Sequence, residues 1–222
     1  MTTQDSLKDI KTIIFDWDGT LHESMIIYQP AFLKAYQFLV EKGYAKKRKW
    51  SEKDIQRFLG MNPKDMWASF EPKLPDHIIN VVSPMISKAM KSSIDSGNAQ
   101  LYVGARDVLL TLKEKGYHLV YLSNSKIYYK DAMVDAFHLN QYFDHIICSE
   151  MYDYIQKEEI LERIKDQLPG RWMVVGDRNV DIQAGKAHQA ITVACDYGYG
   201  QKEELEHADY HLSDVKQLLK II

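Results

Sequence analysis

The sequence predicts an α/β fold: a parallel sheet with helices on both faces, carrying an all-helical insertion near its start. Three observations predict it. Strand-like and helix-like patterns alternate from about residue 99 onward, as a parallel sheet covered by its own crossovers requires. Residues 25 to 98 show helical periodicity and hardly any strand signal. Three apolar strands run out into polar residues at their C-terminal ends, the end at which open parallel sheets bind ligands.

The elements follow in order. Ile13-Ile14-Phe15 is a short apolar run of the kind that forms a buried parallel strand, and it ends at Asp16-Trp17-Asp18-Gly19-Thr20. In the insertion, the first helix carries Ala31, Phe32, Ala35, Tyr36, Phe38 and Leu39 and stops near Gly43. Ser51, with Asp54 three residues on, opens a second in a capping-box-like arrangement. Asn62-Pro63 opens a third, with Asn at the cap and Pro at the first helical position. A longer helix holds Ile78, Ile79, Val82, Met85, Ile86 and Met90. Trp50, Trp67 and Phe70 read as the core of this insertion rather than as ligand contacts. Beyond it, helix 105–115 precedes strand 118–122, helix 126–137 precedes strand 145–148, and helix 157–167 precedes strand 172–175. A helix from Asn179 through Ile182, Ala184 and Ala187 leads to strand 190–194, and a weaker strand follows at 210–212.

The polar strand ends carry the chemistry. Asp16 and Asp18 stand at i and i+2, so along a strand they point the same way. Two carboxylates so placed can bind a divalent cation or divide labour as nucleophile and proton carrier. The same layout recurs after Trp172-Met173-Val174-Val175, where Gly176-Asp177 is followed by Asp181 one helical turn on. Between them, His118-Leu119-Val120-Tyr121-Leu122 runs into Ser123-Asn124-Ser125 ahead of a helix. A hydroxyl and free backbone N–H groups there suit a phosphate oxygen.

These motifs, in this order, resemble the haloacid dehalogenase superfamily, and more narrowly its small-molecule phosphatases of the phosphoglycolate phosphatase and β-phosphoglucomutase type. The resemblance covers nearly the whole chain. It implies a Rossmann-like core from residues 1–22 and 99–222 and a mobile helical cap from residues 23–98. It implies Mg²⁺ as cofactor, a small phosphorylated metabolite as substrate, and hydrolysis through an aspartyl phosphate. Asp16 would be nucleophile and metal ligand. Asp18 would be the general acid and base, its backbone carbonyl ligating the metal. Ser123 would hydrogen-bond the transferring phosphoryl group, with Gly19, Thr20 and Asn124 beside the substrate. Asp177 and Asp181 would complete the metal site. Lys157, about twenty residues before Asp177, would neutralise the phosphate, although Glu158 stands where the family usually has Pro. Lys126 and Lys130 are its rivals.

Several flanking residues stay open. His22 and Glu23 either face the cleft or belong to a solvated linker. Gly60-Met61-Asn62 sits where related caps carry a substrate-contacting loop. Arg178 and Lys126 flank motif residues, with a surface role as the simpler reading, and Tyr197-Gly198-Tyr199-Gly200 is expected only to turn the chain.

Composition fits a globular protein: 222 residues, 45% hydrophobic, 27% charged, net charge −3. That charge points to neither a nucleic-acid nor a membrane partner, and Lys46-Lys47-Arg48-Lys49 reads as a solvated loop. The first residues carry no apolar leader, and Cys148 and Cys195 read as buried free thiols, so the expectation is a cytoplasmic monomer or homodimer. Two alternatives accompany the phosphatase: a sugar-phosphate mutase of the same superfamily, and a non-catalytic binding protein retaining the fold. Dehalogenation is disfavoured because a halide leaving group needs no acid such as Asp18. A phosphonate hydrolase needs an activated cap lysine, and nothing marks Lys34, Lys42 or Lys53 as one.

Overall fold

The computed structural model describes residues 7–222. Residues 1–6, on which the expectation of no apolar leader falls, lie outside the described residues. The first strand, β1 (Ile10–Phe15), begins earlier than its apolar run because Lys11 and Thr12 interrupt the pattern. Lys11 is exposed, whereas Thr12 is fully buried and donates its hydroxyl to the carbonyl of Pro169 at 2.7 Å. The buried polar group is therefore satisfied.

Four helices follow directly: α1 (Met25–Glu41), α2 (Glu52–Gln56), α3 (Pro63–Ser69) and α4 (Asp76–Asp95). The starts of α2 and α3 are set as the sequence predicts. Ser51 Oγ accepts from the Asp54 N–H, and Asp54 Oδ2 accepts from the Ser51 N–H, both at 3.2 Å. Asn62 Oδ1 accepts from the N–H groups of Lys64 and Asp65 at 2.9 and 3.0 Å. α1 packs on α4, and α1 carries Phe32, the centre of an aromatic cluster, whose ring stands 4.8 Å from Trp50 and 5.6 Å from Phe58. Such pairs add roughly 0.5–1.5 kcal/mol each beyond area burial. The basic run is exposed, with the Arg48 guanidinium 3.8 Å from the Trp50 ring.

The rest of the chain alternates: α5 (Ala105–Glu114), β2 (His118–Ser123), α6 (Ile127–Phe137), β3 (His145–Cys148), α7 (Lys157–Ile164), β4 (Arg171–Gly176), α8 (Asn179–Ala187), β5 (Ile191–Cys195), α9 (Lys202–Leu205), β6 (Tyr210–Leu212) and α10 (Leu218–Ile221). The six strands among the described residues are all parallel, in the order β3-β2-β1-β4-β5-β6. Side chains alternate between two apolar layers. Ile13, Phe15, Leu119, Tyr121, Met173 and Val175 enter one, while Ile14, Val120, Leu122 and Val174 meet Ile160, Leu161 and Ile164 of α7 in the other. Truncating a core residue such as Ile14 to Ala costs about 2–5 kcal/mol.

Strand order reverses at β1, which pairs with β2 on one side and β4 on the other. That is the switch point at which doubly wound sheets open a crevice. α4 leans against α6, so the helical insertion stands over the same end of the sheet. Among the described residues no helix is long and apolar enough to cross a membrane. Cys148 and Cys195 are buried and unpaired, and burial pushes both thiols up.

Candidate active site

Three strand ends meet at the switch point. β1 delivers Asp16, β2 delivers Ser123, and β4 delivers Asp177, with Asp181 in the first turn of α8. Asp16, Asp177 and Asp181 are buried, and each offers an oxygen within 4.8 Å of the others. Lys157, the first residue of α7, is also buried. Its Nζ donates to Asp16 Oδ1 at 2.6 Å and to Asp181 Oδ1 at 2.7 Å.

The charges do not balance within this cluster. Three carboxylates face one ammonium, and Lys157 reaches only two of them. Asp177 Oδ2 accepts from the Tyr199 N–H at 2.6 Å, while its buried Oδ1 has no hydrogen-bond partner among the described residues. Burial raises Asp16 to about 7 despite Lys157, and burial together with the charges of Asp16 and Asp181 raises Asp177 well above the carboxylate range. Burial alone would pull Lys157 down, but Asp16 and Asp181 outweigh it and hold it above its ordinary value. An all-oxygen donor set with a free carboxylate oxygen fits a hard divalent cation.

Asp18 has a different environment. Its Oδ1 accepts from Ser24 Oγ at 2.5 Å and from the Tyr129 hydroxyl at 2.6 Å, and lies 3.2 Å from His22 Nδ1. Burial pushes Asp18 up, but these partners outweigh it and hold the carboxyl below its usual range. His22 is fully buried, and its ring stacks on Trp17 at 5.7 Å. The solvated-linker reading of His22 therefore fails, while Glu23 is exposed.

Gly19 and Thr20 support the site from beneath. Gly19 has φ +88°, and a Cβ there would stand 2.2 Å from Asp177 Oδ2, so only glycine fits. Thr20 is fully buried and donates to Asp16 Oδ2 at 3.3 Å, which positions that carboxylate; neither residue lines the cavity, where substrate contacts were expected. The Tyr197–Gly200 loop does more than turn the chain. Besides the Tyr199 N–H on Asp177, the Tyr199 hydroxyl accepts from the Met25 N–H at 3.0 Å, and the Tyr197 hydroxyl donates to the Thr20 carbonyl at 2.7 Å. A Cβ on Gly200 would lie 1.9 Å from the Asp177 carbonyl oxygen. The alternating glycines after β5 were the visible trace of this contact.

A cavity opens between Asp16, Asp18, Ser123 and Asn124 below and the helical insertion above. Asn124 Nδ2 donates to the Gly60 carbonyl at 2.9 Å, and the Arg178 guanidinium bonds the Leu59 carbonyl and pairs with Glu204 at 3.0 Å. Two residues of the core thus hold the loop that sequence reasoning singled out, and Arg178 is not a bare surface residue. Of that loop, Gly60 and Met61 line the cavity, while Asn62 caps α3. Trp67 also lines it, in addition to packing on Phe70 at 5.4 Å. Lys126 lines the cavity, and Lys130 pairs with Asp131 at 2.6 Å. Lys34, Lys42 and Lys53 are exposed and away from it.

Fold and carboxylate cluster together define a class, and comparison with known proteins gives the same one: the family description "haloacid dehalogenase-like hydrolase" matches residues 10–189, and the chain belongs to that family. The similarity lies with phosphatases. The chain is 24% identical over 225 residues to a phosphoglycolate phosphatase of Synechococcus elongatus, covering 96% of this chain and 97% of the relative. It is 23% identical over 220 residues to the pyrophosphatase PpaX of Anoxybacillus flavithermus, with coverage of 96% and 97%. A crystal structure of a predicted phosphoglycolate phosphatase from Haemophilus somnus shares the fold with a TM-score of 0.80 at 20% identity, covering 100% of this chain and 99% of that one.

Proposed function

We propose that this protein is a Mg²⁺-dependent phosphatase of small phosphorylated metabolites that works through an aspartyl phosphate on Asp16. The observation that carries the proposal is the buried trio Asp16, Asp177 and Asp181, of which Lys157 neutralises only two members, beside a cavity that also holds Asp18. The phosphoglycolate phosphatases and pyrophosphatases among the relatives support the substrate class.

Phosphoryl transfer depends mostly on positioning and charge neutralisation. Asp16 is oriented by Thr20 and Lys157 so that one carboxylate oxygen can attack phosphorus while the bond to the ester oxygen breaks. Asp18 delivers its proton to that leaving oxygen. In the second step the Asp18 carboxylate takes a proton from water as the water oxygen attacks phosphorus, releasing phosphate and restoring Asp16. Ser123 supplies a hydroxyl to the phosphoryl group in flight, and Lys157 offsets the negative charge around Asp16. A bound Mg²⁺, held by Asp16, the Asp18 carbonyl, Asp177 and Asp181, would keep the carboxylates ionised and draw charge from the phosphoryl oxygens.

In this reading residues 1–22 and 99–222 form the catalytic core, and residues 23–98 form the cap that limits substrate size. Two buried free thiols suit a reducing, cytoplasmic setting. The test is hydrolysis of p-nitrophenyl phosphate with Mg²⁺ and with excess chelator, by the wild type and by Asp16→Asn. Loss of activity in chelator and in folded Asp16→Asn is expected; near-wild-type turnover in either case would overturn the assignment.

A further inference from the structure

The cavity above Asp16 has two unlike halves. The floor, from the strand ends and α6, is polar: Asp16, Asp18, Ser123, Asn124 and Ser125, with the Tyr128 and Tyr129 side chains beside them. The roof, from the helical insertion, is apolar, with Phe58, Met61, Met66, Trp67, Ile86 and Met90 facing the space. Ser83 and Ser87 on α4 are its side-chain hydroxyl donors apart from Tyr28. Twelve lysines and arginines lie between residues 25 and 95, yet none of them lines the cavity. Among the described residues, Lys126 is the single basic side chain there, and it also borders Pro63, Trp67 and Ser83 at the edge of the roof.

This division bears on what can be released when the phosphate ester is cleaved. The floor matches the phosphoryl group. The roof must then cover the rest of the substrate. A carboxylate or second phosphate under the roof would lose its water against thioether and aromatic carbon with Lys126 alone, at the roof's edge, to offset the loss, which is a large penalty. A polyhydroxylated sugar would leave most of its hydroxyls unpaired. An apolar or aromatic carbon skeleton loses nothing there, and the Met side chains can repack around its shape.

We infer that the substrate is a phosphomonoester whose alcohol is compact, uncharged and largely apolar, alkyl or aryl-alkyl in class, seated between the strand-end carboxylates and the roof of Met61, Met66, Ile86 and Met90. The inference rests on the phosphatase reading and narrows it. It separates this chain from an enzyme for esters such as phosphoglycolate, whose far end is an anion.

The experiment compares kcat/KM for four esters of primary alcohols, benzyl phosphate, n-butyl phosphate, phosphoglycolate and glucose 6-phosphate, so that leaving-group basicity varies little. Each buried methylene contributes about fourfold. Benzyl phosphate is expected to exceed both polar esters by at least about tenfold, with n-butyl phosphate between. In Met90→Gln, which places an amide in the roof at nearly constant volume, benzyl phosphate should lose about tenfold relative to glucose 6-phosphate. Ser87→Arg, which gives the roof a cation, should raise phosphoglycolate relative to benzyl phosphate, and it serves where Met90→Gln does not fold. Equal or better turnover of the polar esters by the wild type would overturn the inference while leaving the phosphatase reading intact. So would unchanged ratios in the folded variants. No hydrolysis of these esters or of p-nitrophenyl phosphate would remove both.

Discussion

The Tyr129 hydroxyl donates to Oδ1 of Asp18 at 2.6 Å, tying α6 to the loop after β1. Burial, with the Asp18 charge adding to it, holds the Tyr129 phenol well above its ordinary value, so it stays a donor. With Ser24 and His22 it favours the ionised form of Asp18, the form that takes a proton from water. Leaving-group protonation needs the other form.

Tyr129→Phe should therefore raise the Asp18 pKa. A group that must be protonated supports the first step below its pKa and fails above it, so the alkaline limb of kcat/KM for an alkyl phosphate should move to higher pH. The pH–rate profiles of wild type and Tyr129→Phe provide the comparison. A limb that stays in place, or moves down, would show that Tyr129 does not govern Asp18.

Lys157 can be distinguished from its rivals by the same kind of measurement. It is the lysine whose Nζ lies on both Asp16 and Asp181, whereas Lys126 lines the cavity and Lys130 is paired with Asp131. Removing one partner of a buried ion pair costs about 3–5 kcal/mol, and removing an electrostatic stabiliser of the transition state costs about 10²–10³ in kcat. Lys157→Met is expected to show both losses in denaturant unfolding and steady-state kinetics. Lys126→Ala and Lys130→Ala should remain within about tenfold of wild type. A larger kinetic loss at either rival than at Lys157 would transfer the role.

What was legible in the sequence was what strand ends make local. Asp16 and Ser123 follow an apolar run by one step and Asp177 by two, and parallel pairing brings those ends together without further information. The Ser51 and Asn62 caps were legible for the same reason, since their partners lie two or three residues away. The Asp18 surroundings were not. Tyr129 is 111 residues distant, and nothing in the helix pattern distinguishes it from its neighbour Tyr128. The Tyr199 contact to Asp177 is made by a backbone N–H, which leaves no mark on residue type. Thr12 and Lys11 hid the first half of β1, one because its hydroxyl is satisfied in the core and the other because it is exposed.

Acid sensitivity should centre partly on the sheet edge. Partial burial pushes Asp209 up, but Lys186 and the Thr192 N–H and hydroxyl outweigh it and hold the carboxyl below its ordinary value of 3.8. A depressed carboxylate contributes stability that is present above the unfolded value and lost as pH falls through the folded one. That window therefore lies below about pH 4. Asp209→Asn should flatten the pH dependence of stability there while keeping an acceptor for Thr192. Asp209→Ala should cost more at neutral pH, about 1–3 kcal/mol for each Thr192 donor left unpaired, because Thr192 is fully buried. Urea unfolding between pH 2 and 7 measures both. Identical acid slopes in wild type and Asp209→Asn would rule out this source.

The metal can be tested without turnover. Asp177 Oδ1 is a buried carboxylate oxygen with no partner among the described residues, and Asp16, Asp177 and Asp181 crowd one another around it. A ligand that binds only the folded state stabilises it by RT ln(1 + [L]/Kd), about 2.7 kcal/mol at a hundredfold excess over Kd. Mg²⁺ should therefore raise the wild-type Tm in proportion to the logarithm of its concentration. Asp177→Asn removes one of the crowding charges, so its Tm without Mg²⁺ should equal or exceed that of the wild type. The same substitution removes an anionic oxygen from the donor set, so the Mg²⁺-dependent rise should shrink sharply. K⁺ at matched ionic strength should reproduce neither effect, since screening acts on exposed charges and not on this buried trio. A rise of equal size in Asp177→Asn would place the cation elsewhere on the molecule.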